Sequence, residues 1–192
     1  MKTGLLIVPL FALTLLPILA QSPQSGAPQN TPQYTNDGQL RMPENYREWI
    51  FLTSGLGMSY NSSTTSANPS FDNVFVTPQA YKAFMSTGTW PDKTMFALEV
   101  RSSSSEGSIN KAGHFQNDIT GLEVEVKDAS RFPNKWAFFG FRASSPTAQQ
   151  LPDNAGCQAC HSANGAVDNT FVQFYPTLIP IAKAKGTFKA KP

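Results

Sequence analysis

The spacing of apolar positions changes character twice along the chain. Behind Pro43, Glu44 and Asn45, the residues Tyr46, Trp49, Ile50 and Leu52 recur at helical intervals, which predicts a first helix ended by Gly55 and Gly57. A polar loop follows over residues 59–70, then a short β-suited segment at 74–76. Thr77 and Pro78 suit the N-cap and first position of a second helix, with Tyr81, Phe84 and Met85 on its buried side and Gly88 at its end. From Thr94 the pattern turns to strands. Residues 95–100 form one β-suited run, and 121–127 alternates Leu122, Val124 and Val126 with Glu123, Glu125 and Lys127. Residues 136–141 are strongly aromatic, which suits a strand buried on both faces, and the Ser- and Gly-rich stretch 102–113 reads as a loop. The expected fold class is α+β: a mainly antiparallel sheet with flanking helices and a C-terminal segment that carries the chemistry.

The two ends read differently. Residues 1–20 open with Met-Lys-Thr and run apolar to Ala20, interrupted by Pro9 and Pro17, the pattern of a secretory signal peptide. The run is short for a membrane span, and no later stretch approaches the length required, so no integral span is expected once the leader is removed. Residues 21–39 are rich in Gln, Pro, Ser, Asn and Thr and read as a flexible tether. The folded domain is expected over residues 40–185, with 186–192 as a tail. Loss of the leader removes Lys2 and lowers the formal net charge from +2 to +1. A balance this weak argues against nucleic-acid binding and polybasic membrane docking. The expected location is periplasmic or secreted, in a bacterium.

Two cysteines in an exported protein ordinarily suggest a disulfide. Here Cys157 and Cys160 are three positions apart and His161 follows at once. Cys-x-x-Cys-His is the attachment signature of haem c: two thiols at this spacing can form thioethers with two vinyl groups on one porphyrin edge, and the adjoining His becomes the proximal ligand. A zinc site would need a fourth ligand, for which only His114 remains among the histidines and cysteines. A thioredoxin-like pair would need a strand-to-helix setting, whereas the motif follows Pro152, Asp153, Asn154 and Gly156, a loop sequence. One haem c, held by Cys157 and Cys160 with His161 on the iron, is the expected cofactor.

The sixth iron position decides what such a haem does. No Met follows Met95, so the ligand common in electron carriers is not found downstream of the motif. Met42, Met58, Met85 and Met95 each read more simply as core or loop residues, and His114 as a surface hydrogen bonder. A five-coordinate iron with an open side is the favoured reading, and an open iron binds small molecules.

Several segments together resemble the cytochrome P-460 family, which includes the β-sheet cytochromes c′ (cytochrome c′-beta). They are Asn45-Tyr46-Arg47-Glu48-Trp49, Val74-Phe75-Val76 ahead of Pro78 and Tyr81, and Gly121-Leu122-Glu123 with Val126-Lys127-Asp128. Further on come Arg131-Phe132, Trp136-Ala137-Phe138-Phe139, Leu151-Pro152, the haem motif and Phe171-Val172-Gln173-Phe174-Tyr175-Pro176. The likeness spans about residues 40 to 182. It implies a β-rich homodimer with a five-coordinate haem and nitrogen-oxide chemistry: cytochromes P-460 oxidise hydroxylamine, while c′-beta members bind nitric oxide and carbon monoxide without turnover.

The resemblance also implies what separates these branches, a lysine cross-linked to the haem edge just before a Glu on a strand. Matching that strand to residues 94–99 puts Leu98 at the lysine position, and Leu cannot form the bond. Lys93 and Lys111 are the nearby alternatives, though both suit solvated turns. Where some oxidising members carry a distal carboxylate, this chain has Gln149 and Gln150. Phe96, Phe75 and Leu98 would make the distal side apolar and favour neutral diatomics. The leading expectation is a gas-binding cytochrome c′-beta-like protein, served by a small nitrogen-oxide or gas ligand and by a redox partner protein. The alternatives are a hydroxylamine or nitric oxide oxidoreductase, which makes the chain an enzyme, and an electron-transfer cytochrome.

Overall fold

The computed structural model describes residues 30–59, 66–142 and 145–189. The expected leader, the first part of the 21–39 stretch, part of the 59–70 loop and the last three residues lie outside the described residues. The fold is α+β. Five antiparallel strands form the main sheet in the order β2 (Ile50–Leu56), β3 (Phe71–Val76), β4 (Met95–Ser104), β5 (Phe115–Lys127) and β6 (Trp136–Phe141). A second, two-stranded sheet pairs β1 (Leu40–Arg41) with β7 (Thr147–Ala148). The helices are α1 (Pro78–Thr87), α2 (Cys157–Asn164) and α3 (Ile179–Ala184).

The first helix expected from the sequence is instead a 3-10 turn, Tyr46–Glu48, that runs into strand β2. Ile50, Phe51 and Thr53 are β-suited, and pairing with β3 offers ladder hydrogen bonds that a helix crossing Gly55 could not match. A bulge between Phe51 and Thr53 frees Leu52 from the register, and its side chain enters the core. The stretch expected as a loop from Ser102 is strand as far as Ser104, because β4 and β5 continue together as a long hairpin. The aromatic strand β6 is less enclosed than expected: Gly140 is exposed and Phe138 half-buried.

Period-two alternation gives the sheet two working faces. On one, Met95, Ala97, Leu122, Val124, Val126, Ala137, Phe139 and Phe141 form a core with Leu40, Tyr46 and Trp49. The opposite face carries Val76, Phe96 and Trp136, packed against Phe84 of α1 and against Val172, Tyr175, Leu178 and Ala182 of the C-terminal segment. Residues 30–39 are not a free tether where described: Trp49 Nε1 donates to Asn30 Oδ1 (2.9 Å) and Tyr34 bridges to Leu40. The C-terminal residues dock too, since Lys189 N donates to Ala166 O (2.8 Å).

The first face buries one carboxylate, Glu99, at 2% exposure. Tyr46, Arg47 and Arg101 all hydrogen-bond to it. Burial works to raise its pKa, but those three donors outweigh it and hold the group at about 2.

Candidate functional site

Helix α2 opens with the Cys-x-x-Cys-His motif. Gly156 precedes it in the left-handed region (φ 86°), where a glycine turns the chain out of the 3-10 turn Asp153–Ala155 and into the helix. Cys157, Cys160 and His161 stand at i, i+3 and i+4 and so share a helix face. Both thiols are free and half-buried. Burial raises the pKa of Cys157, and the nearby Glu123 carboxylate raises it further.

His161 is held on all sides. Its ring lies 4.6 Å from that of Phe138 on β6, edge to face, and 4.3 Å from that of Phe171. Nδ1 lies 3.0 Å from the carbonyl of Asn169 and 3.3 Å from Oε1 of Glu125. The directed hydrogen bond is the one to Asn169; Glu125 Oε1 is buried beside the same nitrogen without a hydrogen-bond partner. With Nδ1 engaged as donor, Nε2 is the nitrogen left with a lone pair. Burial disfavours charge on the imidazole, yet the adjacent Glu125 outweighs it and raises the His161 pKa above the ordinary value. Burial likewise raises Glu125, with His161 opposing.

The Asn169 carbonyl is aimed by a tight turn. Val167 and Thr170 pair across it, and Asp168 (φ 48°) and Asn169 (φ 62°) both adopt left-handed backbone, the type I′ hairpin pattern that Asp and Asn tolerate best after Gly. Thr170 anchors the turn, accepting from Trp90 Nε1 (2.8 Å) and donating to Val167 O (2.7 Å). Asp168 is tied to Lys127 on β5, whose ammonium also donates to Trp90 O (2.7 Å). Gln173 closes the end of α2, donating to Asn164 O (2.8 Å) and accepting from Ala166 N (3.1 Å). Gly165 is where the turn and the helix end meet: a Cβ there would lie 2.5 Å from Asn169 C, 2.6 Å from His161 O and 2.7 Å from Thr170 N.

The sheet beneath supplies the rest. Glu125 lies across from Phe96 on β4 and Phe138 on β6, and Glu123 across from Leu98 and Gly140. By alternation, Leu98, Phe96, Glu123, Glu125, Phe138 and Gly140 all belong to the His161 face. Phe75, expected with Phe96 and Leu98, instead lies on the opposite face against Tyr46 and Phe51, because period-two alternation along β3 turns Val74 toward His161 and its neighbour away. Phe96 is buried there at 4% exposure, enclosed by Trp90, Trp136 and Tyr175. Leu98 and Val74 stay half-buried, Glu123 and Gly140 are exposed, and a Cβ on Gly140 would meet nothing within 4 Å. The face is therefore packed shut around Phe96 and left open around Leu98 and Gly140.

This arrangement coincides with a family assignment: the Cytochrome P460 profile matches residues 43–172, which includes the sheet, the motif and the turn behind His161. The chain belongs to the cytochrome P460 family. No curated protein matches the chain. Membership makes it a haem c cytochrome of the P460 and c′-beta kind, and the residues fit that group. Two free thiols and an imidazole nitrogen share one helix face, and the adjoining sheet is apolar at Leu98 and Val74 and unobstructed at Gly140. Among the described residues no helix is long and apolar enough to cross a membrane.

The two lysines proposed as cross-link alternatives lie elsewhere. Lys93 precedes β4 in left-handed backbone (φ 64°), its ammonium paired with the Asp128 carboxylate. Lys111 sits in the exposed loop that joins β4 to β5. Among the described residues of the sheet, the lysine on the His161 face is Lys127, and Asp168 and Trp90 O occupy it. Sequence reasoning missed Glu125, Gln173 and the Asp168–Asn169 turn as parts of the site. The Asp-Asn pair was a readable turn signal, and the alternation of β5 already placed Glu125 on a face with Glu123.

Proposed function

We propose that this cytochrome P460 chain carries haem c bonded through Cys157 and Cys160, with Nε2 of His161 as proximal ligand, and that it binds nitric oxide or other small neutral gases. When bound, the haem supplies an iron with one open position. The chain's residues do the rest. Phe138 and Phe171 fix the plane of the imidazole, and the Asn169 carbonyl holds the Nδ1 proton, so Nε2 is presented in one tautomer and one orientation. Leu98 and Val74 give the open part of the sheet an apolar surface, backed by Phe96. The Leu98 and Val74 side chains themselves offer a ligand neither hydrogen bond nor charge, which favours neutral diatomics; the exposed Glu123 carboxylate stands across from Leu98 at the edge of that apolar patch.

The observation that carries this reading is the placement of Leu98 on the His161 face, where the resemblance expects the cross-linking lysine. A sixth ligand from the chain is also poorly served. Met95 is buried on the opposite sheet face, Met42 packs against that same core, Met58 and Met85 are exposed, and His114 lies exposed beside the β4–β5 hairpin. Export by the leader at residues 1–20, action in the periplasm or outside the cell, homodimerisation and reduction by a partner protein complete the proposal. The test is hydroxylamine turnover with an artificial electron acceptor, joined to peptide mapping of the haem-bearing fragment. The expected result is no sustained turnover and haem attached only to the peptide holding Cys157 and Cys160. Sustained turnover with a second haem-linked peptide would establish the oxidase reading instead.

A further inference from the structure

Glu125 has no ordinary reason to be where it is. It lies mid-strand on β5, between Phe96 on one neighbouring strand and Phe138 on the other, with its side chain 13% exposed. Buried carboxylates are almost always hydrogen-bonded, since leaving one unpaired forfeits its hydration. Yet Oε1 of Glu125 has no hydrogen-bond donor, and the polar group beside it is Nδ1 of His161 at 3.3 Å. Lys127, the next residue on the same face, is committed to Asp168 and Trp90 O. The Asn169 carbonyl already faces Nδ1 at 3.0 Å, so the imidazole N–H stands between two oxygens, one of them a carboxylate's.

The geometry points to Glu125 as a positioning residue that shares the Nδ1 proton of His161 with the Asn169 carbonyl and makes the imidazole a more electron-rich ligand. This deepens the reading of His161 as the proximal ligand and rests on it. A carboxylate behind a metal-bound imidazole raises the ligand's basicity. Here that strengthens the iron–nitrogen bond and favours the ferric over the ferrous state. Asn169 sets the direction of the ring, and Glu125 sets its charge.

The test uses the holoprotein and two readouts: the midpoint potential, and the iron–histidine stretching band of the ferrous form by resonance Raman. Glu125→Gln keeps the side chain's shape and removes its charge. The expected result is a shift of the reduction equilibrium toward ferrous by roughly tenfold, 59 mV for a one-electron couple, with the iron–histidine band at lower frequency. Glu123→Gln, two residues away on the same face, controls for loss of local charge and should shift the potential less and leave the band in place. A Glu125→Gln holoprotein whose band is unmoved, or whose potential moves no more than that of Glu123→Gln, overturns the inference. Should that variant fail to accumulate, Glu125→Asp keeps the charge but withdraws it from Nδ1: a lowered band supports the assignment and an unmoved one overturns it. A wild-type protein with covalent haem but no iron–histidine band overturns the underlying ligand reading and this inference with it.

Discussion

Replacing Gly165 by Ala isolates the contact on which the His161 site depends. The backbone of Gly165 is ordinary, φ −70° and ψ 127°, so alanine can adopt it without strain. On conformational grounds alone the change would stabilise the protein by about 0.4–1 kcal/mol, because the unfolded chain loses freedom. The surrounding space opposes the change. The new Cβ would stand 2.5, 2.6 and 2.7 Å from Asn169 C, His161 O and Thr170 N, all backbone atoms that no rotamer change can move aside. Overpacking of this kind costs about 1–3 kcal/mol and can exceed that when backbone must shift. The net expectation is a loss of stability and a fall in Tm of roughly 3–10 °C for a chain of this size. Gly156→Ala is the matched comparison: nothing lies near its Cβ, but its φ of 86° imposes left-handed strain of about 1–2 kcal/mol. Both variants should melt earlier by circular dichroism. In Gly165→Ala alone, moreover, acidification should break the iron–histidine bond at higher pH than in wild type, because the displaced turn carries the Asn169 carbonyl. A Gly165→Ala protein as stable as wild type would refute the reasoning.

Three further outcomes follow from the same geometry. Glu99→Gln removes a carboxylate whose folded pKa of about 2 lies below its unfolded value. The stabilisation is complete above the unfolded pKa and disappears as pH falls toward 2, so urea titrations should show a deficit of roughly 3 kcal/mol at neutral pH that shrinks on acidification. A deficit independent of pH would contradict this. Asp168→Asn should cost about 2 kcal/mol by unties of the His161 turn from Lys127, measurable by chemical denaturation, and an unchanged midpoint would place the turn's support elsewhere. The double variant Lys93→Ala, Lys111→Ala should leave the visible spectrum of the holoprotein as it is; a changed Soret band would make one of these lysines a haem partner.

How far the sequence could be read depended on whether a local pattern had to compete with tertiary structure. Strand β6 matches the aromatic run 136–141 end to end, and α1 starts behind Thr77 and stops at Gly88 as its punctuation requires. The segment at 46–52 misled because its apolar residues satisfy both a helical face and a bulged edge strand, and only the presence of β3 decides between them. The haem motif was legible because its chemistry is contiguous. Glu125 was visible as a member of an alternating strand, but its approach to His161 joins residues 36 positions apart across β5 and α2. No local signal encodes that. The Asp168–Asn169 turn fell between these cases: its residue types announce a hairpin, but only the fold shows that its carbonyl is spent on the imidazole.

The proposed site is a His161-ligated haem c with an open, unmodified iron. The visible spectrum of the purified holoprotein, recorded oxidised, reduced with dithionite and reduced under carbon monoxide, tests it most directly. An ordinary high-spin c-type spectrum that shifts when carbon monoxide is added is expected. A reduced Soret band strongly displaced to the red, or a six-coordinate spectrum indifferent to carbon monoxide, would contradict it.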